Sequence, residues 1–242
     1  CHPVTPPLPH PPRRHPGGGY RSLGSFGPVP THTADAGPRR LPRGPHRLSR
    51  EEVERSQRER LLTGAAEAVA AKGYAATSVA DIIERAGVSR TTFYQLFDDK
   101  LDCFLAACRM ASDVLVSVLA DELARIDAEG VTAPTEALDR LLGAYLQTLV
   151  DFPVLARVFL VEVYAAGTPA IQQRRESLEQ FVDLVAAANR GRPGLLGGGP
   201  EQRFAAEVLV GAVSSMVTNA VGVGETDRLP ELHGPLMRLA DQ

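Results

Sequence analysis

The chain has 242 residues, of which 44% are hydrophobic and 23% charged, so it holds enough apolar material for a core and is not disordered as a whole. Its formal net charge of −3 is unevenly distributed, because residues 1–47 hold seven Arg and one acid, a net of +6, which leaves −9 on the remainder. An acidic body does not by itself indicate nucleic-acid binding, so such a function has to come from local motifs.

Cysteine and histidine are too sparse for a disulfide framework, a metal site or a His-dependent catalytic triad. Cys1, Cys103 and Cys108 are irregularly spaced, and His233 is the only histidine beyond the first 47 residues. We therefore expect no metal, no cofactor and no enzymatic activity. We also expect a reducing, cytoplasmic location, with Cys103 and Cys108 as small buried side chains.

Residues 1–47 form a segment rich in proline, glycine and arginine. They contain 12 of the 19 prolines and bury little apolar surface, so we predict disorder. Two interpretations stay open, a basic arm that follows DNA phosphates or enters a minor groove, and a passive tail.

From residue 48 onwards, apolar residues recur at helical spacing, and three helices are expected before residue 98. Ser78 with Asp81 three residues later resembles a capping box, and Ser89 can cap a further short helix. The expected helices run from about residue 48 to Lys72, from Val79 to Ala86 and from Arg90 to about Phe97, with Gly73 and Gly87 as breaks.

The rest of the chain also has helical periodicity and no alternating strand pattern, so we predict an all-α protein. The expected helices begin at a cap on Asp98, at Thr132-Pro134, after Pro153, at a Thr168-Pro169 cap, at about residue 201 and after Pro230, with a loop at 191–200. The uncharged stretch Val208–Gly224 is expected to be a buried helix, too short to span a membrane.

The pair of short helices around Gly87 carries the functional signal. Ala80, Ile83 and Ala86 are expected to let the two helices cross closely, with Val88 filling the gap between them. The second helix can enter a major groove as the recognition helix of a helix-turn-helix, because its polar side chains can bind base edges while its aromatics face inward. The polar side chains are Arg90, Thr91, Thr92, Tyr94 and Gln95, and the inward ones are Phe93, Leu96 and Phe97.

This stretch resembles the tetracycline-repressor (TetR) family of regulators. The matching residues are Gly73-Tyr74, Thr77-Ser78-Val79, Asp81-Ile82-Ile83, Ala86-Gly87-Val88-Ser89, Thr92-Phe93-Tyr94, Phe97 and Lys100-Leu101. The resemblance implies a three-helix DNA-binding domain at residues 48–105, followed by a helical domain at 106–242 that binds an effector and dimerises. It further implies a ligand-responsive repressor that binds double-stranded DNA at a palindromic operator, without a membrane partner.

The resemblance also assigns roles to individual residues. Thr77, Ser78, Tyr94 and Lys100 would contact phosphates, and Ser89 would cap the recognition helix beside the DNA. Asp98 and Asp99 depart from this pattern, since they place two acids beside Lys100. The homodimer would form through helices at about residues 169–189 and 201–221.

A small hydrophobic or amphipathic effector is expected between the later helices. The polar residues in apolar context that could line its pocket are Tyr145, Gln147, Arg157, Glu162 and Tyr164. Two alternatives remain open at this point. An all-α enzyme or carrier would use the cavity alone, and a helical interaction protein would use its apolar surface.

Overall fold

The computed structural model describes residues 49–190, 192 and 200–240, and within these ranges the chain is built from helices alone. The predicted disorder of residues 1–47 and most of the predicted loop at 191–200 lie outside the described residues. Nine α-helices are described: α1 (Arg50–Lys72), α2 (Val79–Ala86), α3 (Arg90–Leu96), α4 (Lys100–Ala128), α5 (Pro134–Asp151), α6 (Pro153–Leu160), α7 (Thr168–Ala188), α8 (Pro200–Gly222) and α9 (His233–Ala240). Two 3₁₀ helices, Glu162–Ala166 and Thr226–Leu232, precede α7 and α9.

The predicted all-α class is confirmed, and the first three helices end within about one residue of their predicted bounds. The predicted caps of later helices are wrong by one residue. Asp99 rather than Asp98 caps α4, because the Asp99 carboxylate is the one that accepts the free N–H of Asp102, at 2.8 Å. Ala133 and Gly167, neither of which offers a side-chain cap, precede α5 and α7.

Helix α4 runs through the whole described body and contributes to each of its apolar clusters. Cys103 packs with α1, α2 and α3 around Phe93, whereas Phe104 packs with α1, α6 and α7. Beyond residue 110 the same helix enters the largest cluster, with α5, α7, α8 and α9. The predicted domain boundary at 105/106 therefore falls inside α4. A shift of this helix would displace side chains in both predicted domains.

The cysteines of α4 are buried, and burial raises the pKa of the Cys103 and Cys108 thiols to about 12. A thiol that stays protonated at neutral pH is a poor nucleophile, so both behave as small apolar side chains.

Helix α8 differs from its prediction in length and burial. It extends to 23 residues, and α4 and α8 are each long and apolar enough to cross a membrane by length and composition. The expectation that this stretch is too short for a span is therefore wrong. So is the expectation of a buried helix, because Phe204 and Val208 are 68% and 56% exposed. Within the described part of this single chain, α8 carries an apolar face that is left uncovered.

Candidate nucleic-acid interface and effector cavity

The turn between α2 and α3 is fixed by its backbone. Gly87 has a left-handed conformation (φ 61°), and its N–H bonds back to the carbonyls that end α2. Arg60 reaches across from α1, with its Nε donating to the carbonyl of Ala86 at 2.8 Å and its Nη2 donating to that of Gly87. Sequence reasoning missed Arg60, because no local pattern links it to a turn 26 residues away.

Helices α1 and α2 touch at Gly64. A Cβ at this position would lie 3.0 Å from the backbone nitrogen of Ala86 and 3.0 Å from the carbonyl of Ile82. The close crossing therefore depends on Gly64, with Ile82 and Ala86 buried beneath it. The prediction that Ala80 contributes is wrong, because Ala80 is exposed.

Helix α3 exposes its polar side chains on one side and buries an aromatic side chain on the other. Phe93 is fully buried, and Tyr94, next to it, is 51% exposed with its ring edge-on to Phe93 at 5.3 Å. The exposed polar side chains are Arg90, Thr91, Tyr94 and Gln95, and Thr92 is half-buried. Ser89 caps the helix through its Oγ, which accepts the N–H of Thr92 at 3.0 Å. The arrangement has the geometry that base-edge recognition requires.

Thr77 and Ser78 precede α2, and only one of them reaches solvent. Thr77 is 3% exposed, and its hydroxyl donates to the carbonyls of Gly73 and Ala68 at the end of α1. The predicted phosphate contact through the Thr77 hydroxyl therefore does not fit, because its hydrogen is already used and its oxygen is covered. Ser78 is exposed and forms a capping box with Asp81, at 2.7 Å between Oγ and Oδ2.

The Asp81 carboxylate accepts hydrogen bonds from Lys72 and Ser78, and these hold its pKa well below the usual range. It therefore stays negatively charged beside Ser78, where a phosphate would have to approach. This acid weakens Ser78 as a phosphate site and favours the side chains of α3 as the principal contacts.

Lys100 begins α4 and is held by the turn between α1 and α2. Its Nζ donates to the carbonyls of Tyr74 and Thr77, each at 2.9 Å, and lies 4.2 Å from the centre of the Tyr74 ring. Lys100 is half-buried. Two of its three ammonium hydrogens satisfy backbone carbonyls, which leaves one for a phosphate.

Glu162 links the first 3₁₀ helix to the same turn. It is 7% exposed; Oε2 accepts the backbone N–H of Tyr74 at 2.9 Å, and Oε1 lies 3.3 Å from Nη2 of Arg157. The prediction that Arg157 and Glu162 line an effector pocket is therefore wrong. Their charges are directed at each other and at the DNA-binding helices, a pairing that no local sequence signal marks.

An apolar cavity of about 70 Å³ lies between α4, α5, α7, α8 and α9, and its mouth is partly open to solvent. Its walls are Leu, Val and Phe side chains, together with Tyr145, Ser214 and Met237. Burial raises the pKa of the Tyr145 hydroxyl to about 12, so the phenol stays neutral at physiological pH. This cavity can receive an apolar ligand but offers little charge.

Of the five predicted pocket residues, only Tyr145 lies in the wall of the apolar cavity. Gln147 faces solvent and bonds to Asp151, so its prediction is wrong. Tyr164 lines a neighbouring open pocket between α7 and α8 instead. Among the described residues, no group of His, Cys, Asp or Glu could hold a metal ion.

The two short helices around the Gly87 turn have the arrangement of a helix-turn-helix, and sequence comparison agrees. Residues 61–107 match the family described as bacterial regulatory proteins, tetR family, and the resemblance drawn from the sequence is confirmed.

Two curated relatives and many solved structures are similar to the chain. It is 35% identical over 86 residues to the HTH-type transcriptional activator FasR of Mycolicibacterium smegmatis, covering 36% of this chain and 39% of FasR. It is 24% identical over 136 residues to the HTH-type transcriptional regulator RutR of Escherichia coli O157:H7, covering 56% of this chain and 61% of RutR. The matches thus span less than two thirds of either relative.

The fold is also similar to that of the transcriptional regulator FadR from Bacillus subtilis, solved in complex with stearoyl-CoA. That structure has a TM-score of 0.64 and 19% identity, covering 75% of this chain and 96% of its own. At this identity the likeness shows a shared fold.

Proposed function

We propose that the protein is a homodimeric transcription regulator that binds a palindromic DNA site through α3 and responds to a small apolar or amphipathic effector. The observation that carries the proposal is the surface of α3, where Arg90, Thr91, Tyr94 and Gln95 are exposed above a fully buried Phe93. A guanidinium at the start of such a helix can bind the O6 and N7 of guanine together.

The residue roles of the proposal follow from this surface. Arg90, Thr91, Thr92 and Gln95 read bases; Tyr94 and the remaining hydrogen of Lys100 contact phosphates, and Ser89 holds the start of α3. Ser78, whose hydroxyl hydrogen is donated to Asp81, caps α2 instead. No catalytic chemistry is assigned, and the protein acts in the cytoplasm, where its DNA is. A repressor that its effector releases binds the operator less tightly with effector bound, which is the behaviour that we propose.

Dimerisation is supported by the uncovered face of α8. Phe204, Val208 and Met216 are 68%, 56% and 39% exposed and lie at helical spacing on one side. Gly211, on the flank of this stripe, leaves open space where a Cβ would be, so a second helix can approach closely. A second copy of this chain, packing α7 and α8 against their counterparts, would cover this surface and set two α3 helices in successive major grooves.

Effector control is supported by the route from the cavity to α3. The apolar cavity is bounded partly by α4, whose first turn holds Lys100 against the turn before α2. A ligand that moves α4 or the first 3₁₀ helix would shift the bonds at Tyr74 and thereby the spacing of the α3 pair. The FadR of B. subtilis, whose structure contains stearoyl-CoA, supports a long aliphatic chain as the effector's apolar part.

The test is selection of fragments from a library of genomic DNA by the purified protein, with random DNA as competitor at physiological salt. The proposal expects enriched fragments that share an inverted repeat, with half-sites centred about 34–36 Å apart, one helical turn, or a multiple of it. Enrichment of no common sequence would contradict sequence-specific regulation and favour a protein that uses only its cavity or apolar surface.

A further inference from the structure

A buried arginine on α7 has no acidic partner among the residues that the structure describes. Arg174 is 4% exposed, and its guanidinium donates to the carbonyl of Phe159 at 2.9 Å and to the Oγ of Ser214 at 2.7 Å. It also donates to the Oγ1 of Thr218 at 3.3 Å and to the hydroxyl of Tyr164 at 3.2 Å. All these acceptors are neutral, and none of the ion pairs in the described residues includes Arg174. A buried positive charge without a counter-charge is costly, which points to an anion at this place.

The hydroxyl groups around Arg174 have hydrogens that can be donated to such an anion. Tyr164, Ser214 and Thr218 each use a lone pair to accept a hydrogen from the guanidinium, so each keeps its own O–H hydrogen for another acceptor. In the described residues no acceptor takes these three hydrogens. Three hydroxyl donors and one cation thus converge on a single place.

This place is an open pocket that adjoins the apolar cavity. Tyr164, Arg174, Ser214 and Thr218 all line the pocket between α7 and α8. Leu178 and Ser214 line the pocket and the cavity alike, so the two spaces share a wall. A ligand whose aliphatic chain lies in the cavity and whose other end passes Ser214 would set that end beside Arg174.

We propose that the effector is an aliphatic molecule with an anionic headgroup, and that Arg174 binds this headgroup together with the hydroxyls of Tyr164, Ser214 and Thr218. The inference rests on the proposed function in one respect, since it uses the apolar cavity as the effector site. It adds the sign of the ligand's charge and the residues that recognise it. A carboxylate and a phosphate share the required chemistry, because both accept several charge-assisted hydrogen bonds.

The experiment is calorimetric titration of the full chain with four probes of equal chain length: dodecanoate, dodecyl phosphate, dodecanol and dodecyltrimethylammonium. The anionic probes should saturate one site per chain and bind about tenfold or more tightly than dodecanol, the scale of a charge-assisted bond. Dodecyltrimethylammonium should bind most weakly. The ratio of the two anions distinguishes a carboxylate from a phosphate as the preferred headgroup.

Two variants test the residues. Ser214→Ala keeps the packing volume close to that of the parent and should reduce anion affinity several-fold without changing dodecanol affinity. Arg174→Gln should abolish the preference for anions, and Ser117→Ala, an exposed serine on α4, should leave both affinities at the parent value. Because Arg174→Gln can also impair folding, its thermal unfolding is measured alongside. If Arg174→Gln is unfolded, the anion affinity of Ser214→Ala alone decides whether the headgroup site exists.

Three outcomes would overturn the proposal. Equal affinity for dodecanol and dodecanoate, unchanged by Ser214→Ala, would remove the headgroup site but leave an apolar effector cavity in place. Absence of binding by all four probes would remove the cavity as the effector site as well, while operator binding would still stand by its own test. Dissociation of the dimer by Arg174→Gln, with no anion bound by the parent, would show that a carboxylate of the second copy neutralises Arg174.

Discussion

The carboxylate of Glu162 accepts the backbone N–H of Tyr74 at 2.9 Å, which joins the 3₁₀ helix before α7 to the turn before α2. Two residues further along the same 3₁₀ helix, the hydroxyl of Tyr164 accepts a hydrogen bond from Arg174. One short element therefore touches both the proposed headgroup site and the turn that supports the helix-turn-helix. In the proposed function, this element would transmit a ligand-induced shift to the helix-turn-helix.

Replacing Glu162 should loosen this link. Glu162→Leu leaves the N–H of Tyr74 without an acceptor and Arg157 without its acid, so the free energy of unfolding should fall by about 1–3 kcal/mol. Hydrogen exchange at the backbone amide of Tyr74 should be faster in Glu162→Leu than in the parent. In Glu162→Gln the side-chain oxygen can still accept this N–H, so exchange should stay close to the parent rate. Glu176→Gln on the exposed side of α7 serves as control. Unaltered exchange at Tyr74 in Glu162→Leu would show that the bond does not hold the turn.

Lys100 should matter for stability as well as for DNA. Lys100→Ala removes the donor to the carbonyls of Tyr74 and Thr77 and should lower the free energy of unfolding by about 1–2 kcal/mol. It should also reduce affinity for operator and random DNA equally, because any phosphate contact carries no base information. Urea denaturation checks the first effect and competition binding the second. A Lys100→Ala protein as stable as the parent would refute the supporting role.

The uncovered face of α8 should hold two copies together. Val208→Arg places a charge where a partner helix should pack and should convert the dimer to monomer, measured by light scattering at micromolar concentration. Ala124→Arg, at an exposed position on α4, is the control and should remain dimeric. A Val208→Arg protein that stays dimeric would place the dimer interface elsewhere. A monomeric parent protein would show that the chain does not dimerise.

The buried thiols should make the fold sensitive to alkali. The pKa values of Cys103 and Cys108 are about 12 when folded and about 9 in their ordinary state, so above pH 9 only the unfolded chain releases these protons. Unfolding therefore becomes easier as pH rises, by about 1.4 kcal/mol per pH unit for each thiol until the folded pKa is reached.

Denaturation at pH 8 and pH 10 measures this decline, which should be shallower in a Cys103→Ala/Cys108→Ala variant. The buried Tyr145, whose pKa is also raised to about 12, sustains part of the decline in both proteins. The same decline in the variant and the parent would mean that the thiols do not cause it.

The elements that local chemistry specifies were predictable from the sequence. Ser78 and Asp81 stand three residues apart and Gly87 follows, and these signals gave the bounds of α2. Tyr145 lies in the wall of the apolar cavity, and its contact with an effector stays a prediction.

Contacts between distant parts of the chain have no local sequence signal that predicts them. Glu162 meets Tyr74 across 88 residues, and Arg60 meets the Gly87 turn across 27, so neither pairing has a spacing that sequence can reveal. Arg174 resembles an ordinary surface arginine in the polar sequence of α7 until the fold buries it beside Ser214 and Thr218. A polar residue in an apolar stretch is therefore a poor predictor of a functional position. Its burial and the orientation of its side chain depend on the tertiary packing.

Competition binding of Arg90→Ala tests directly whether α3 recognises the sequence of the DNA. Operator DNA from the selection and random DNA of equal length compete for the parent, for Arg90→Ala, and for Arg190→Ala, whose arginine is exposed at the far end of α7. We predict that Arg90→Ala loses about 1–3 kcal/mol of binding free energy on the operator and little on random DNA. Its selectivity should relax at one base pair per half-site, and its stability should be unchanged. Arg190→Ala should match the parent. An operator-to-random ratio that Arg90→Ala leaves untouched would contradict the claim.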